Sequence, residues 1–403
     1  MSNEGSNSAV ILSAVRTPIG RFRSTLASVS ASELGATVIQ AAVERAALPD
    51  PSEIDEVLMG NVLSAGLGQN IARQAAIFGG LPATVGATTL NKVCGSSLKA
   101  VMLAAQAIRA GDGQLFVAGG VESMSLAPRL VDGRMNDIPR ENEELRDAVL
   151  VDGLWCPFED WVMGDAAEFI ADEYGITREA MDRFALSSHQ KAIAAIDGDK
   201  FKEEIVPVTI KKDNAHTSVL DTDEAPRRDT SLAALQKLKP IFQPDGKVTA
   251  GNAPGLNDAA AALVIASQSK AEAMGAQVLA RIVGYAQSAL DPKYIFAAPA
   301  KAIPLLLEKT GWKLSDVGLI ELNEAFAAQI LANGQELSDI GWDWDKVNVN
   351  GGAIALGHPL GATGARLLTT LLHALKDRQK SRGIAALCLG GGEAVALAVE
   401  RTE

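Results

Sequence analysis

Apolar positions along the chain switch between two periods, and the switches mark the elements. Val10–Ala14 is a short unbroken apolar run that predicts a buried strand. Arg16–Phe22 follows as a turn-rich loop. Ser30–Ala47 carries Leu34, Val38, Ile39 and Val43 at helical spacing, behind Ser30 or Ser32 as a cap. Ile54–Met59 predicts a strand closing on Gly60 and Asn61. Ile71–Phe78 predicts a helix, and Thr88–Val93 an extended segment. Leu98, Val101, Met102, Ala105 and Ile108 then recur at three- and four-residue steps. They predict a helix with Arg109 in its last turn and Gly111 as its stop. Gln114–Ala118 predicts a strand ending on Gly119 and Gly120.

The last third of the chain repeats this order. Ile303–Thr310 reads as a helix with Pro304 in its first turn, where a missing N–H matters little. Val317–Leu322 is a strand ending on Asn323, Ala325–Glu336 a helix, and Val347–Val349 a strand ending in Asn350-Gly-Gly352. Gly364–Lys376 is a helix, and Ile384–Leu389 a strand ending on three glycines. Asn61 thus matches Asn323, Asn91 matches Asn350, and Gly119–Gly120 matches Gly390–Gly391. A single duplication of a whole half implies two βαβ-type units side by side. Loops from both would meet where the strands end. Between them, Val121–Val248 is charged and irregular. It predicts helices near Asp165–Glu173 and Arg178–Asp197, the latter capped by Thr177, and an alternating strand at Glu203–Ile210. Thr249–Ala266 returns to apolar, small residues and is expected to rejoin the first half. The expected units are 1–120, an inserted loop domain at 121–248, a return at 249–274, and 275–403.

Composition narrows the class. The 403 residues suffice for more than one unit with ample core. Aromatics are scarce at 4%, which suits closely packed α/β layers. A net charge of -12 argues against a nucleic-acid surface, although local basic residues still decide whether an anion binds. Cys94, Cys156 and Cys388 are too few and too far apart for a disulfide framework or a zinc site. His189, His216, His358 and His373 have no metal-ligand spacing. Met1–Ser8 carries no targeting segment, and no apolar run is long enough to span a membrane. A cytoplasmic protein with reduced thiols is expected, with no nucleic-acid or membrane partner.

Four stretches carry candidate chemistry. In NKVCGSS (residues 91–97), Cys94 sits between an extended segment and a helix start. Free N–H groups and the dipole there favour thiolate, the nucleophilic form. A small packed cysteine is the alternative. NGGAIALGHPLGATG (350–364) has five glycines in fifteen residues, so it is a loop folded close around something, with His358 inside it. A phosphate-cradling loop or a structural turn would not need the imidazole. In CLGGGE (388–393), Cys388 ends an apolar strand. The glycines after it leave N–H groups free for an oxyanion, while core packing is the default for the thiol. Asn323 in NEAFA (323–327) reads alone as an N-cap.

Together these stretches resemble the thiolases. SAVRTPIGRF (13–22), GGVESM (119–124), VTAGN (248–252) and GLND (255–258) match too, in the right order across nearly the whole chain. The resemblance implies an α/β fold of two duplicated halves stacked as a five-layer α-β-α-β-α sandwich with an inserted loop domain. It implies an acyl-CoA C-acyltransferase that performs reversible Claisen condensation or thiolysis through an acyl-Cys94 intermediate. His358 would take the thiol proton, and Cys388 would serve the α-carbon of the second acyl-CoA. The N–H groups of Cys94 and Gly390 would hold one oxyanion; His358 with a water on Asn323 would hold the other. Contacts to CoA or the acyl group are implied at Leu154, Met163, Arg227, Ala250, Pro254, Ile295 and Phe296. Acyl-CoA and CoA are the implied partners, with no metal or other cofactor, in a homodimer or homotetramer. The chain departs from the family pattern at Val162, where many members carry His, and at Pro254, where a Ser is common. It departs again at Ile295-Phe296, where Met-Gly is usual. Two other classes are weighed. A decarboxylating ketoacyl synthase would use a Cys with two His, or with His and Asn, and lack Cys388. A non-catalytic acyl-CoA-binding relative would be expected to have lost one of Cys94, His358 and Cys388. Cys156 reads as structural or pocket-lining, and His189, His216 and His373 as surface residues.

Overall fold

The computed structural model describes residues 8–131, 145–211 and 216–402. Residues 1–7 of the polar N-terminal stretch, and parts of 121–248, lie outside the described residues. In chain order the principal elements of the first half are β1 (Ala9–Arg16), α1 (Ala31–Arg45), β2 (Glu56–Gly60), α2 (Ile71–Phe78), β3 (Gly86–Leu90), α3 (Ser96–Ala110) and β4 (Leu115–Ser123). The insertion carries α4 (Met163–Glu173) and α5 (Arg178–Asp197). Then follow β5 (Asn257–Ser267), β6 (Ala280–Ala289), α6 (Pro299–Thr310), β7 (Leu319–Leu322), α7 (Ala327–Glu336), α8 (Thr363–Asp377), β8 (Arg382–Leu389) and β9 (Glu393–Arg401).

The strands fall into two sheets of matching order. The first runs β1-β5-β4-β2-β3 and the second β6-β9-β8-β7, joined edge to edge where Val10 and Ile11 of β1 face Arg281 and Ala280 of β6. In each, a parallel core (β2 with β3 and β4; β7 with β8) is extended by antiparallel neighbours. The duplication is therefore structural: β1, β2, β4 and β5 correspond to β6, β7, β8 and β9. Helices cover both faces of both sheets. Leu34, Val38 and Ala75 of α1 and α2 pack on Val10, Val57 and Val264. Ile303, Leu306 and Ile330 of α6 and α7 pack on Ile320, Ile384 and Ala396. Between the sheets lie α3 and α8, whose Leu98, Val101, Met102, Leu367, Leu368 and Leu371 meet Leu263, Leu387 and Leu397. The result is five layers, α-β-α-β-α.

Local signals account for the helix ends. Ser30 caps α1 with a full capping box to Glu33. Thr177 caps α5, and Gly111 ends α3 at φ 84°. Several elements differ from expectation. The segment predicted at Thr88–Val93 is strand for Gly86–Leu90 alone, because residues 91–95 turn to bring Cys94 round. The strand predicted to stop at Gly119 and Gly120 runs on to Ser123. Those glycines are needed for close approach: a Cβ on Gly119 would sit 2.1 Å from the Ala261 carbonyl oxygen, and one on Gly120 2.0 Å from that of Gly361. The helix predicted from Ile303 begins at Pro299, which takes the first-turn position, so Pro304 lies in the helix interior. Val347–Val349 reduces to one bridge, Val347 to Ile320. Of Glu203–Ile210, expected as one alternating strand, Glu203 and Glu204 lie in a turn, Ile205 bridges to Arg16, and strand pairing covers Val208–Lys211. Among the described residues no helix is long and apolar enough to cross a membrane.

Gly119→Ala is expected to lower unfolding free energy by about 1–3 kcal/mol, the range for overpacking a close-packed interior. Gly86→Ala is the control, since its nearest neighbour would lie at 3.7 Å. Urea unfolding of both variants measures the difference; equal midpoints would contradict the close-approach argument.

Candidate active site

The site is assembled from four loops at strand ends. The first, Asn91–Gly95, follows β3. Asn91 Oδ1 accepts from Val93 N at 2.8 Å, and Ser96 Oγ accepts from Lys92 N at 2.8 Å while donating to Val93 O at 2.6 Å. Val93 is held at φ 48°, a strained conformation for a β-branched residue. Lys92 Nζ pairs with Glu393 Oε2 at 2.7 Å, tying this turn to the Gly390–Gly392 turn of the second half. Cys94 is half-buried, two residues ahead of the first residue of α3.

The second loop carries His358. Its backbone N–H donates to Asn257 Oδ1 at 3.0 Å. Its Nδ1 lies 2.7 Å from Thr363 Oγ1, whose hydroxyl donates to Pro359 O at 2.8 Å. Threonine has one proton to give, so Nδ1 must be the N–H and Nε2 the lone-pair nitrogen. Nε2 lies 3.5 Å from Asn323 Nδ2 in the third loop. Asn323 is fully buried, and its Oδ1 has no protein partner. The fourth loop begins at the end of β8 with Cys388, which is 2% exposed. Gly390, two residues on, aims its N–H at the Cys94 sulfur, as does the N–H of Cys94 itself.

Electrostatics favour an uncharged resting site. Burial, aided by Glu122, pushes the Cys94 thiol up to about 12, against the downward pull of its own N–H and that of Gly390. Burial, with Cys94 nearby, pushes the Cys388 thiol well up too. Burial and the charge of Arg366 lower His358 to about 3. The helix N-terminus was expected to favour the Cys94 thiolate; desolvation outweighs it here. The site thus holds a neutral thiol and a neutral imidazole, so attack by the thiol would require its proton to be taken up as the bond forms.

Cys94, His358 and Cys388 line one cavity of about 470 Å³. Leu154, Met163, Arg227, Ala250, Pro254, Ile295 and Phe296 line it as well, while Asn323 stands behind His358. Leu150, Val162, Phe242 and Phe326 make the wall strongly apolar. A second cavity of about 380 Å³ shares Arg227, Ala250, Ala253, Gly255 and Leu256 with the first and adds Arg21, Phe22 and His189. The two cavities adjoin along these shared residues, and Cys94 lies in the first.

Two histidines read as surface residues are not. His189 is buried and accepts the Arg227 backbone N–H on Nδ1 at 3.2 Å; burial lowers it to about 4. His373 Nε2 is 3.2 Å from Ala14 O and half-buried. His216 is exposed. Cys156 is buried in the Trp155–Cys156/Trp161–Val162 hairpin. Thr363 and Asn257, which orient His358, were missed as individual residues although both lie in the quoted motifs. Among the described residues no group of three His, Cys, Asp or Glu side chains is placed to hold a metal ion.

Comparison with known proteins follows this geometry. Residues 9–269 match the family described as "Thiolase, N-terminal domain", and residues 276–401 match "Thiolase, C-terminal domain". The chain is similar to the acetyl-CoA acetyltransferase of Pseudomonas aeruginosa, 53% identical over 392 residues that cover 97% of this chain and 99% of the relative. It is similar to that of Cupriavidus necator at 53% identity over 392 residues, with the same coverage of each. The crystal structure of the Bacillus anthracis acetyl-CoA acetyltransferase superposes with a TM-score of 0.95 at 44% identity, covering 100% of both chains.

A thiol raised to about 12 stays protonated through neutral pH. Alkylation of Cys94 by iodoacetamide, read by site-resolved mass spectrometry, should therefore rise about tenfold per pH unit from pH 6 to 9.5 without a plateau. An inflection near pH 7 would contradict the desolvated thiol.

Proposed function

The chain belongs to the thiolase family, and we propose that its acyltransfer runs through an acyl group carried on Cys94. It is an acyl-CoA C-acyltransferase, joining two acetyl-CoA to acetoacetyl-CoA and CoA, or splitting a 3-ketoacyl-CoA, by reversible Claisen chemistry. The observation that carries the site assignment is the single cavity onto which Cys94, His358 and Cys388 all open.

In the first half-reaction Cys94 Sγ attacks the thioester carbonyl carbon as Nε2 of His358 takes the thiol proton. The C–S bond to CoA breaks, and the CoA thiolate leaves with that proton. The carbonyl oxygen gathers charge where the N–H groups of Cys94 and Gly390 converge. In the second, Cys388 passes its thiol proton to the free Nε2 of His358 and, as thiolate, removes an α-proton from the next acetyl-CoA. Its raised pKa makes that thiolate scarcer but a stronger base, which suits a weakly acidic C–H. The enolate oxygen accepts from the Nε2–H that His358 then carries and from a water on Asn323, a role that the unpaired Oδ1 of Asn323 supports. The enolate carbon then bonds to the acyl carbon, the bond to Cys94 breaks, the α-proton on Cys388 passes to the Cys94 sulfur, and His358 returns its proton to Cys388. Each step uses CoA thioesters and the chain's own groups.

Residues 121–248 are proposed as the inserted segment that holds CoA. Residues 1–120 with 249–274 then form one half and 275–403 the other, supported by β5 pairing with β1 and β4. Leu154, Met163, Arg227, Ala250 and Pro254 are proposed to contact CoA along the two adjoining cavities. A homodimer or homotetramer is proposed, supported by β3, an edge strand paired with β2 alone among the described residues. A cytoplasmic location accords with three free thiols.

Incubation with acetyl-CoA should add one acetyl group to the Cys94 peptide. Full labelling in Cys94→Ala would sink the assignment. Cys388→Ala should still acylate Cys94 yet lose condensation and α-proton exchange by ~10²–10⁴-fold, whereas His358→Ala should impair acylation also. Equal loss of both half-reactions in Cys388→Ala would refute its separate role.

A short acyl group is proposed as the substrate. Phe296 is 2% exposed, lies against Phe326 with ring centroids 5.4 Å apart, and has its carbonyl gripped by Asn333 Nδ2 at 2.6 Å. It fills the space that the family's usual glycine leaves open. Thiolysis kcat/KM should fall from C4 to C10 3-ketoacyl-CoA by steps within the ~10–200-fold span of pocket contacts, and Phe296→Gly should flatten the slope. A parent that prefers C8 would show that Phe296 does not limit the pocket.

A further inference from the structure

Two buried carboxylates in this protein have no part in the steps above. Glu122 on β4 is fully buried. Its Oε1 accepts from Asn61 Nδ2 at 2.9 Å and Leu63 N at 3.1 Å; its Oε2 accepts from Val62 N at 3.1 Å and Gly361 N at 2.8 Å. Glu324, just after β7, is 1% exposed. Its Oε2 accepts from Ser188 Oγ at 2.6 Å and Ile354 N at 3.1 Å, and its Oε1 from Asn348 Nδ2 at 2.9 Å. Ser188 Oγ in turn accepts from Gly352 N at 3.1 Å.

The two sets of bonds converge on one segment. Glu324 grips the His358 loop on its N-terminal side, at Ile354 directly and at Gly352 through Ser188. Glu122 grips it on the C-terminal side, at Gly361. We propose that Glu122 and Glu324 are positioning residues that clamp the His358 loop from both sides and so hold the imidazole in register with Cys94.

Chemistry favours the carboxylate form for this task. A carboxylate accepts at both oxygens and donates nothing, so four N–H donors can converge on Glu122 without conflict. An amide in its place must turn an NH₂ toward two of those donors. The loop itself has few ways to hold its own shape. It is glycine-rich, and its own backbone bonds within 350–357 are a single short turn. A rigid anchor on each side is what a base needs when a displacement of about 1 Å can lower a rate about 10²-fold.

The inference rests on His358 acting as the base for Cys94, and the experiment separates the two claims. Acylation of Cys94 by acetyl-CoA is timed by quenched-flow mass spectrometry in the parent, Glu122→Gln, Glu324→Gln, His358→Ala, and each Gln variant combined with His358→Ala. Each Gln variant should slow acylation at least about tenfold, with the concentration of acetyl-CoA giving half-maximal rate changed less than about twofold. In the His358→Ala background the same Gln change should slow the residual rate by less than about twofold, because residues that act through one group are not additive. Should a Gln variant fail to fold, Asn61→Ala and Asn348→Ala each remove one donor from a clamp and take its place in the same cycle. Equal losses in both backgrounds, or Gln variants that acylate at the parent rate, would overturn the clamp. Unimpaired acylation in His358→Ala would instead refute the role of His358.

Discussion

The contact between α3 and α8 is the constraint on which the site depends. These two helices form the middle layer, and the loops that lead into them carry Cys94 and His358. They touch closely at their N-termini: a Cβ on Gly364 would fall 2.6 Å from the backbone nitrogen and Cβ of Leu98. Ser97 Oγ accepts the Ala365 N–H at 2.9 Å across the same contact. One helix comes from each half of the chain, so neither half alone brings Cys94 and His358 together. The apolar interface behind the N-termini, from Leu98 to Ile108 and from Leu367 to Leu375, stabilises that approach by burial on a scale of ~25 cal/mol per Å².

Burial has a chemical consequence at the same place. It raises both thiols and lowers the imidazole, so the resting pair is neutral. A permanent thiolate–imidazolium pair would need stronger compensation than two N–H groups and an imidazole with a tightly assigned tautomer can give. In the proposed mechanism those N–H groups act where charge would develop during attack, which is when such donors lower a barrier. The buried arginine Arg366 works in the same direction on His358 while its own neighbour Glu321 sits 3.7 Å away.

Near Cys94 the cavity wall is apolar, Val162 and Pro254 included. The adjoining cavity is the more polar outer part, with Arg227 and Arg21 in its lining. His189 supports this outer part indirectly, since its Nδ1 holds the backbone of Arg227.

The sequence by itself determined most of the elements and singled out the groups proposed to react. Ile71–Phe78 and Arg178–Asp197 match α2 and α5 to the residue, while Ser30, Thr177 and Gly111 mark the ends of α1, α5 and α3 by side-chain and left-handed caps. The repeat of strand-and-helix order was visible because each half must bury one apolar face in the same way. Cys94, His358, Cys388 and Asn323 were legible because each interrupts an apolar or glycine-rich pattern, and because together they resemble one family. What periodicity cannot carry is a contact between distant segments. That β4 runs through Gly119 and Gly120 is decided by Ala261 and Gly361 pressing against it. That α6 starts at Pro299 is decided by Ala300 and Ala302 packing in the outer layer. The burial of His189, the tautomer of His358 and the roles of Glu122 and Glu324 are likewise properties of segments brought together from afar. Desolvation, which overrides the helix-end preference for a Cys94 thiolate, exists once the layers close over the thiol and not before.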